Sequence, residues 1–224
     1  MSLSLSQSEE NYLKSIFNLL DENSALKDNR VSTNLIAKDL QTKASSVTEM
    51  IKKLSDKGLV LFEKYKGCSL TSIGKKEAIE IIRKHRLWET FLVEKLAFDW
   101  NEVHDIAEQL EHIKSPILTN KLSVFLNHPK FDPHGEPIPD ANGKLPVHKT
   151  FPLSEALLKK KYKLAGVTNH DPSFLKYLDS LGAGIGSSIE IKDIQEFDKS
   201  MSVYINGKLN TIFSFMVCRN LLVL

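Results

Sequence analysis

Residues 44–60 read ASSVTEMIKKLSDKGLV, and this stretch decides the fold of the N-terminal part of the chain. Its apolar side chains recur every three or four residues, which predicts an amphipathic helix over about residues 44–57. Gly58 follows the last turn, where a glycine often ends a helix. The inner face of this helix is expected to hold Val47, Met50, Ile51 and Leu54.

The segments on either side complete the pattern of a winged helix-turn-helix. Ser6 and Glu9 form a capping box that opens a first helix, and Ser32 caps a short second helix. After the quoted helix, residues 59–62 and 68–71 have the composition of two β-strands around a lysine-rich turn. A helix, a helix-turn-helix and a β-hairpin in this order predict a winged helix-turn-helix.

The polar face of the quoted helix and the following turn suit contact with DNA. The whole chain has a net charge of only +2, but residues 43–66 contain six lysines against three acidic residues. Hydroxyls at a helix N-terminus can reach base edges or phosphates, and lysines can contact phosphates. A winged helix that contacts only proteins is the alternative. The expected DNA contacts are Lys43, Ser45, Ser46, Thr48, Glu49, Lys52, Lys53, Tyr65 and Lys66.

Two stretches further along the chain place imidazoles and carboxylates at helix-turn spacing. The stretch RKHRLWETFL, residues 83–92, has a histidine and a glutamate four residues apart, and EVHDIAEQLEHIKS, residues 102–115, has four such groups within roughly 100° of one helix face. Both groups are ligands for divalent transition metals. The sequence predicts a metal site, with a solvated charged helix face as the alternative. The expected ligands are His85, Glu89, His104, Glu108, Glu111 and His112.

The middle of the chain is expected to be helical and then irregular. Apolar periodicity predicts a long helix over residues 73–96, a second helix from Asn101 to about Ile113, and a third that starts at Ser115 and Pro116. Residues 127–146 are rich in Pro, Gly, Asp and Asn and are predicted to form an irregular linker.

The last third has a different pattern. One short helix is expected near residues 173–181, followed by strands at 188–194 and 202–205. Asn206 and Gly207 form a strong hairpin-turn signal. These features predict a small domain resembling a β-barrel.

Composition limits the remaining function classes. Cys68 and Cys218 are too far apart in sequence to form a CxxC site. The N-terminus lacks the pattern of a signal peptide, and no apolar run is long enough for a membrane span, so a cytoplasmic protein without a membrane partner is expected. Neither a His-Glu-x-x-His motif, a phosphate loop nor a nucleophile elbow occurs, which argues against an enzyme. A metalloenzyme that uses glutamate as a base remains an alternative.

Together the motifs resemble the diphtheria-toxin-repressor family of iron- and manganese-dependent regulators. The resemblance rests on the three stretches quoted above, the wing YKGCSLTSIG and the segment HPKFDPHGEPIP, and it covers residues 8–140. It implies a mainly α protein with a small β domain. The implied domains are a winged helix-turn-helix over 1–73, a helical metal-binding and dimerisation domain with linker over 74–146, and an SH3-like β-barrel over 147–224.

The family resemblance also implies a function and a ligand set. The expected protein is a homodimer that represses metal-homeostasis genes by binding a palindromic operator in double-stranded DNA when loaded with metal. One site would use His85, Glu89 and His104. The other would use Glu108, Glu111 and His112 with Asn11 from the first helix.

Two positions on the first helix depart from the family pattern. Family members carry Met or Asp at the position of Asn11, whose amide oxygen is a weaker, neutral donor, and manganese-type members carry an acid at the position of Lys14. His170 and Asp171 would complete an ancillary site from the SH3-like domain. The alternative is that Asp171 and Pro172 only start the following helix.

The donor types favour Mn(II) over Fe(II) as the cofactor. Iron-type members carry cysteine at the position of Glu108, and Asn11 and Glu108 both offer hard oxygen donors. Zn(II), Co(II) or Ni(II) are expected to substitute in vitro. The alternative function is a metal-independent winged-helix regulator whose C-terminal domain binds a ligand or a protein.

Overall fold

The computed structural model describes residues 4–22, 29–147 and 149–224. These residues form two compact units. The first unit consists of the described residues up to 85, with 111–114 and 139–144. The second unit consists of 86–110, 115–138 and the described residues from 145 to 224. Part of the segment between the first two predicted helices lies outside the described residues.

The first unit contains the predicted winged helix-turn-helix. Three helices precede an antiparallel hairpin, and a long helix follows and contributes residues to both units. The predicted boundaries agree with the observed ones to within about two residues. The elements are α1 Gln7–Glu22, α2 Thr33–Asp39, α3 Ala44–Asp56, β1 Val60–Glu63, β2 Gly67–Leu70 and α4 Ser72–Leu96.

Local hydrogen bonds fix the helix ends where the sequence predicts them. The Ser6 backbone N–H donates to Glu9 Oε2 at 2.8 Å and the Glu9 backbone N–H donates to Ser6 Oγ at 3.3 Å, which is a complete capping box. At the end of α3, Gly58 has a φ of +72° and donates to the carbonyl of Ser55, and Leu59 donates to the carbonyl of Leu54. This pair of bonds is a Schellman motif.

The wing is held against the segment before α2. Val31 and Cys68 exchange two backbone hydrogen bonds at 2.8 and 2.9 Å. Gly67 makes this approach possible, because a Cβ there would lie 2.2 Å from the carbonyl oxygen of Val31 and its φ is +92°. The core beneath is apolar, and each of its fully buried side chains contributes on the order of 2 kcal/mol. It includes Leu13, Ile16, Ile36, Val47, Ile51 and Leu54.

The second unit joins helices to a β domain. The helices are α5 His104–Leu110, α6 Pro116–Phe125, α7 Pro172–Ser180 and α8 Phe215–Asn220. The strands are β3 Phe151–Pro152, β4 Lys161–Val167, β5 Ser188–Ile194, β6 Met201–Ile205, β7 Leu209–Phe213 and β8 Leu221–Val223. They form one sheet in the order β3-β8-β4-β5-β6-β7. No pairing closes this sheet between β3 and β7 within the described residues, so the expected barrel is an open SH3-like sheet.

The helix predicted from Asn101 to about Ile113 is shorter than expected. Residues 101–103 form a turn, and the Asn101 side-chain amide donates to Asp179 Oδ2 at 3.4 Å instead of capping a helix. α5 ends at Leu110, six residues before Pro116 begins the next helix. Glu111 and His112 therefore lie in a turn, outside the helix face on which the sequence argument placed them.

The predicted linker, residues 127–146, is irregular but well packed. Its Asp132, His134 and Ile138 are all buried in the second unit. Asp132 Oδ1 accepts the backbone N–H groups of both His134 and Glu136 at 2.9 Å, which closes a tight turn.

Among the described helices, none combines the length and apolar composition required to cross a bilayer.

One ion-pair cluster ties α1 to α3. Glu9 Oε1 lies 2.6 Å from Lys57 Nζ and 3.2 Å from Lys53 Nζ, and the glutamate side chain is buried. Burial alone would raise the pKa of Glu9, but the hydrogen bonds from Lys57 and Ser6 lower it to about 2. The ionised form of Glu9 therefore stabilises the folded first unit.

The substitution Glu9→Gln should lower the free energy of unfolding by on the order of 2 kcal/mol at neutral pH. Glutamine keeps the hydrogen bond to Ser6 but loses the charge that faces Lys57. Because the folded pKa of Glu9 is below its ordinary value of 4.5, this stabilisation is present above pH 4.5 and is lost as the pH falls towards 2. Urea unfolding followed by circular dichroism, with Glu196→Gln as an exposed control, measures it. A deficit of the same size at neutral pH and at about pH 3 would contradict the assignment.

Candidate metal centre

The first unit holds a buried imidazole, carboxylate and ammonium in contact. His85 Nδ1 lies 2.6 Å from Glu111 Oε2, and Lys14 Nζ lies 2.7 Å from the same oxygen. Burial alone would raise the pKa of Glu111, but the hydrogen bond from His85 and the charge of Lys14 hold it below its ordinary value. Glu111 is therefore an ionised carboxylate in a fully buried position. We call Lys14, His85 and Glu111 the first-unit cluster.

A second imidazole–carboxylate pair lies in the same unit. His112 Nδ1 is 2.6 Å from Glu10 Oε2, and both side chains are almost fully buried. Asn11 Oδ1 and Glu111 Oε1 are buried oxygen atoms that find no hydrogen-bond partner within the described part of the chain. Buried acceptors are normally satisfied, so oxygens of this kind fit coordination of a cation.

The second unit contains a more compact acid–imidazole group. Glu89, Asp132 and His134 are all buried, and one ligand atom from each lies within 4.8 Å of the others. Glu89 Oε2 is 3.4 Å from His134 Nδ1, and Glu89 Oε1 is 3.4 Å from His104 Nδ1. His104 Nε2 in turn lies 3.7 Å from Glu108 Oε1. We call Glu89, Asp132 and His134 the second-unit cluster.

Crowded acids make the second-unit cluster attractive to a cation. Burial and the charges of Glu136 and Glu89 raise the pKa of Asp132 to about 8. Burial alone would lower the pKa of His134, but the carboxylates of Glu89 and Asp132 raise it to about 9. Arg86 compensates part of this negative charge, because its Nε is 3.1 Å from Glu136 Oε2. A divalent ion would neutralise the carboxylates that otherwise hold protons.

The orientation of His134 is suited to metal binding through Nδ1. Its Nε2–H donates to the carbonyl of Trp100 at 2.8 Å, which directs Nδ1 towards Glu89, and a metal ion would replace the proton on Nδ1. Gly135 allows this turn to approach β4, since a Cβ there would lie 2.0 Å from the carbonyl oxygen of Ala165. The backbone of the turn thus fixes the imidazole.

Of the two ancillary residues predicted before α7, His170 lies beside the second-unit cluster. Its ring centroid is 4.6 Å from that of His134 and 6.0 Å from that of His104. Its Nε2 is buried and has no hydrogen-bond partner among the residues described, and burial lowers the pKa of the ring. Asp171 is exposed and caps α7, because its Oδ1 accepts from the Ser173 backbone N–H at 2.8 Å.

The other predicted ligands fall into the two units. His85, Glu111, His112 and Asn11 belong to the first unit, and Glu89, His104 and Glu108 belong to the second. Each predicted ligand set takes residues from both units, so the sharing of one ion within each set stays a prediction.

Sequence reasoning missed Glu10, Asp132 and His134. A proline- and glycine-rich stretch is usually exposed, so the polar groups of FDPHGEP were not considered as ligands. The available signal was the spacing of Asp132, His134 and Glu136 at every second residue within one tight turn. Glu10 had no signal of its own, because its partner His112 is distant in sequence.

The expected DNA contacts lie mainly on exposed positions of the first unit. Tyr65, at the wing tip, is 93% exposed, and Lys66 pairs with Glu63 at 2.5 Å. Thr48 is half-buried and its hydroxyl donates to the carbonyl of Ala44. Lys53 forms the ion pair with Glu9 that is described above. Contact of these residues with DNA stays a prediction. The remaining positions are exposed: Lys43, Ser45, Ser46, Glu49 and Lys52.

Comparison with protein families divides the chain into three matched regions. Residues 4–68 match the family described as "Iron dependent repressor, N-terminal DNA binding domain". Residues 71–140 match "Iron dependent repressor, metal binding and dimerisation domain", and residues 151–212 match "FeoA domain".

Several curated proteins are similar over part of the chain. An uncharacterised HTH-type transcriptional regulator of Methanocaldococcus jannaschii is 38% identical over 54% of this chain and 94% of its own length. The iron-dependent repressor IdeR of Mycobacterium tuberculosis is 33% identical over 58% of this chain and 54% of its own length. A probable metal transport system membrane protein of Chlamydia trachomatis is 43% identical over 41% of this chain, but the matched region spans only 20% of that protein.

Solved structures are similar over almost the whole chain. One is described as a manganese-dependent transcriptional repressor in complex with manganese, with 32% identity, a TM-score of 0.86, and coverage of 96% of this chain and 98% of that one. ScaR with bound Zn²⁺ has 34% identity, a TM-score of 0.78 and the same coverage.

Tryptophan fluorescence can test the second-unit cluster. The Trp100 ring stacks on His134 with centroids 5.8 Å apart. In a Trp88→Phe background Trp100 is the sole tryptophan, so paramagnetic Mn(II) bound at the cluster should quench its emission. Asp132→Asn keeps the turn hydrogen bonds but removes a donor charge, and should weaken the quenching affinity by about ten- to a hundredfold.

Asp179→Asn is the matched control, since Asp179 accepts from Trp100 Nε1 at 2.8 Å but is not part of the cluster. If both variants gave the wild-type titration midpoint, the cluster would not be the binding site.

Proposed function

The chain belongs to the diphtheria-toxin-repressor family of iron-dependent repressors, and we propose that it represses metal-homeostasis genes by binding a palindromic operator as a homodimer. It is a metal-dependent transcriptional regulator, not an enzyme. We also propose that it acts in the cytoplasm. The observation that carries the proposal is the buried second-unit cluster, because it gathers nitrogen and oxygen donors from three residues within 4.8 Å of one another, a donor set that suits a divalent ion.

The chain binds divalent metal, and Mn(II) is the proposed physiological ion with Fe(II) as the second candidate. The donors of both clusters are nitrogen and oxygen, a set suited to these ions. Burial raises the pKa of both Cys68 and Cys218 to about 12, so neither supplies a soft thiolate at neutral pH. Zn(II), Co(II) and Ni(II) should also bind in vitro, because such sites rarely overturn the general affinity order.

The ligand assignment keeps the expected residues and adds two. One site is proposed to use His85, Glu89 and His104, extended by Asp132 and His134, with His170 as ancillary donor and Asp171 limited to capping α7. The other is proposed to use Glu108, Glu111, His112 and Asn11. A bound ion would supply positive charge that lets these carboxylates stay ionised together.

The charge compensation of the second-unit cluster is proposed to control DNA binding through the spacing of the recognition helices. Glu89 and Asp132 repel each other when both are ionised. The three side chains of the second-unit cluster therefore stay in contact only when the negative charge of the two carboxylates is compensated. Two recognition helices must be spaced to fit half-sites about one helical turn apart. A closed cluster would restrict the population of arrangements to those with the correct spacing.

Operator binding should depend on metal through Glu108. In fluorescence anisotropy with a duplex selected from a random pool by the Mn(II)-loaded wild type, Mn(II) should raise wild-type affinity and a chelator should reverse it. Glu108→Ala should remove the metal response while the protein stays dimeric by light scattering. The exposed Glu102→Ala is the control. Binding that ignores both chelator and substitution would support a metal-independent regulator instead.

The exposed lysine on α3 gives a separate test of the DNA-binding face. Lys52→Ala should weaken binding to all sequences and lower the slope of log K against log salt by about one, because one phosphate contact is lost. Lys176→Ala removes an exposed lysine of α7 and should leave the slope unchanged. Equal slopes for all three proteins would exclude a phosphate contact by Lys52.

A further inference from the structure

Lys14 brings a positive charge of the chain itself against two expected metal ligands. Its Nζ lies 2.7 Å from Glu111 Oε2 and 3.2 Å from His85 Nδ1, and its side chain is only 13% exposed. Glu111 is fully buried, so solvent does not screen this contact as it would at the surface. An ammonium group in this position is therefore a built-in counter-ion of the first-unit cluster.

We propose that the Lys14 ammonium takes the place of one divalent ion in the first-unit cluster, so that Glu111 offers only Oε1 to metal. This inference rests on the proposed function and deepens it by fixing how many ions the site accepts. A divalent cation beside Glu111 Oε2 would stand within a few ångströms of the ammonium, and like charges at that distance repel strongly.

The division of Glu111 between two cations fits the contacts of its two oxygens. Oε2 accepts from both Lys14 and His85, whereas Oε1 has no hydrogen-bond partner among the described residues. Asn11 Oδ1, one helical turn before Lys14 on α1, is a second buried oxygen of this kind. These two oxygens are left for one ion, and the Oε2 side is closed by the lysine.

His85 is oriented by the same arrangement. With Nδ1–H directed at Glu111 Oε2, the lone pair of the neutral ring lies on Nε2. Metal-binding histidines commonly donate their other ring N–H to a carboxylate in this way. Glu111 therefore acts on His85 as a positioning residue, and Lys14 holds Glu111 Oε2 in place through its own hydrogen bond.

Metal counting can test the role of Lys14. Equilibrium dialysis against Mn(II), with metal measured by atomic emission, should give the same number of ions per chain for wild type and Lys14→Arg. Lys14→Met and Lys14→Glu should each bind one ion more, or bind the weakest ion at least about tenfold more tightly. Lys114→Met is the control, because it removes another lysine of the first unit, one that binds the Leu5 carbonyl.

Electron paramagnetic resonance of the same samples gives an independent readout. Mn(II) ions in wild type should give the six-line signal of isolated ions. In Lys14→Glu the added ion should lie close enough to its neighbour to broaden that signal, since carboxylate-bridged ions are about 3.5–4 Å apart. Circular dichroism and thermal unfolding confirm that each variant is folded.

The outcomes separate this inference from the proposed function. Equal stoichiometry and spectra in all folded variants would overturn the role of Lys14 while leaving metal-dependent repression intact. A gain of one ion in the Lys114→Met control as well would also overturn it. If no protein in the series bound Mn(II), both the proposed function and this inference would fail.

Discussion

Within each unit, the structure depends on compensating the charge of carboxylates that are buried beside imidazoles. Glu111 and Glu89 are almost fully inaccessible to solvent, and each faces at least one histidine. A buried carboxylate costs several kcal/mol unless charge and hydrogen bonds offset it. The protein meets this requirement in two ways. A lysine of α1 contacts Glu111, whereas Glu89 faces His134, whose pKa is raised to about 9, next to Asp132, whose pKa is raised to about 8.

Local sequence signals predicted the parts of the fold that local physics controls. The Ser6–Glu9 capping box, the Gly58 helix end and the Pro116 helix start are each fixed by hydrogen bonds within a few residues. The positions of these helix ends could therefore be predicted from the sequence without knowledge of tertiary contacts. The start of α5 was not, because Asn101 uses its amide for a contact with Asp179 that is distant in sequence.

The candidate site shows the same division. Its helical ligands were predicted from turn spacing, but Asp132 and His134 belong to an irregular segment whose burial is created by packing against β4. The contact between Lys14 and Glu111 joins residues that are far apart in sequence. The sequence shows that Lys14 departs from the family pattern, but the contact of its ammonium with the Glu111 carboxylate depends on the tertiary structure.

Charge compensation by a lysine and compensation by a proton or a metal ion respond differently to the metal concentration. A lysine is attached to the chain, so its charge is present at every metal concentration and can only hold a cluster together. A proton or a metal ion exchanges with solvent, so a cluster that depends on one changes its charge balance with the surroundings. A sensor needs the second kind. The acids around Asp132 are compensated in this exchangeable way, whereas the lysine-bound Glu111 oxygen is not.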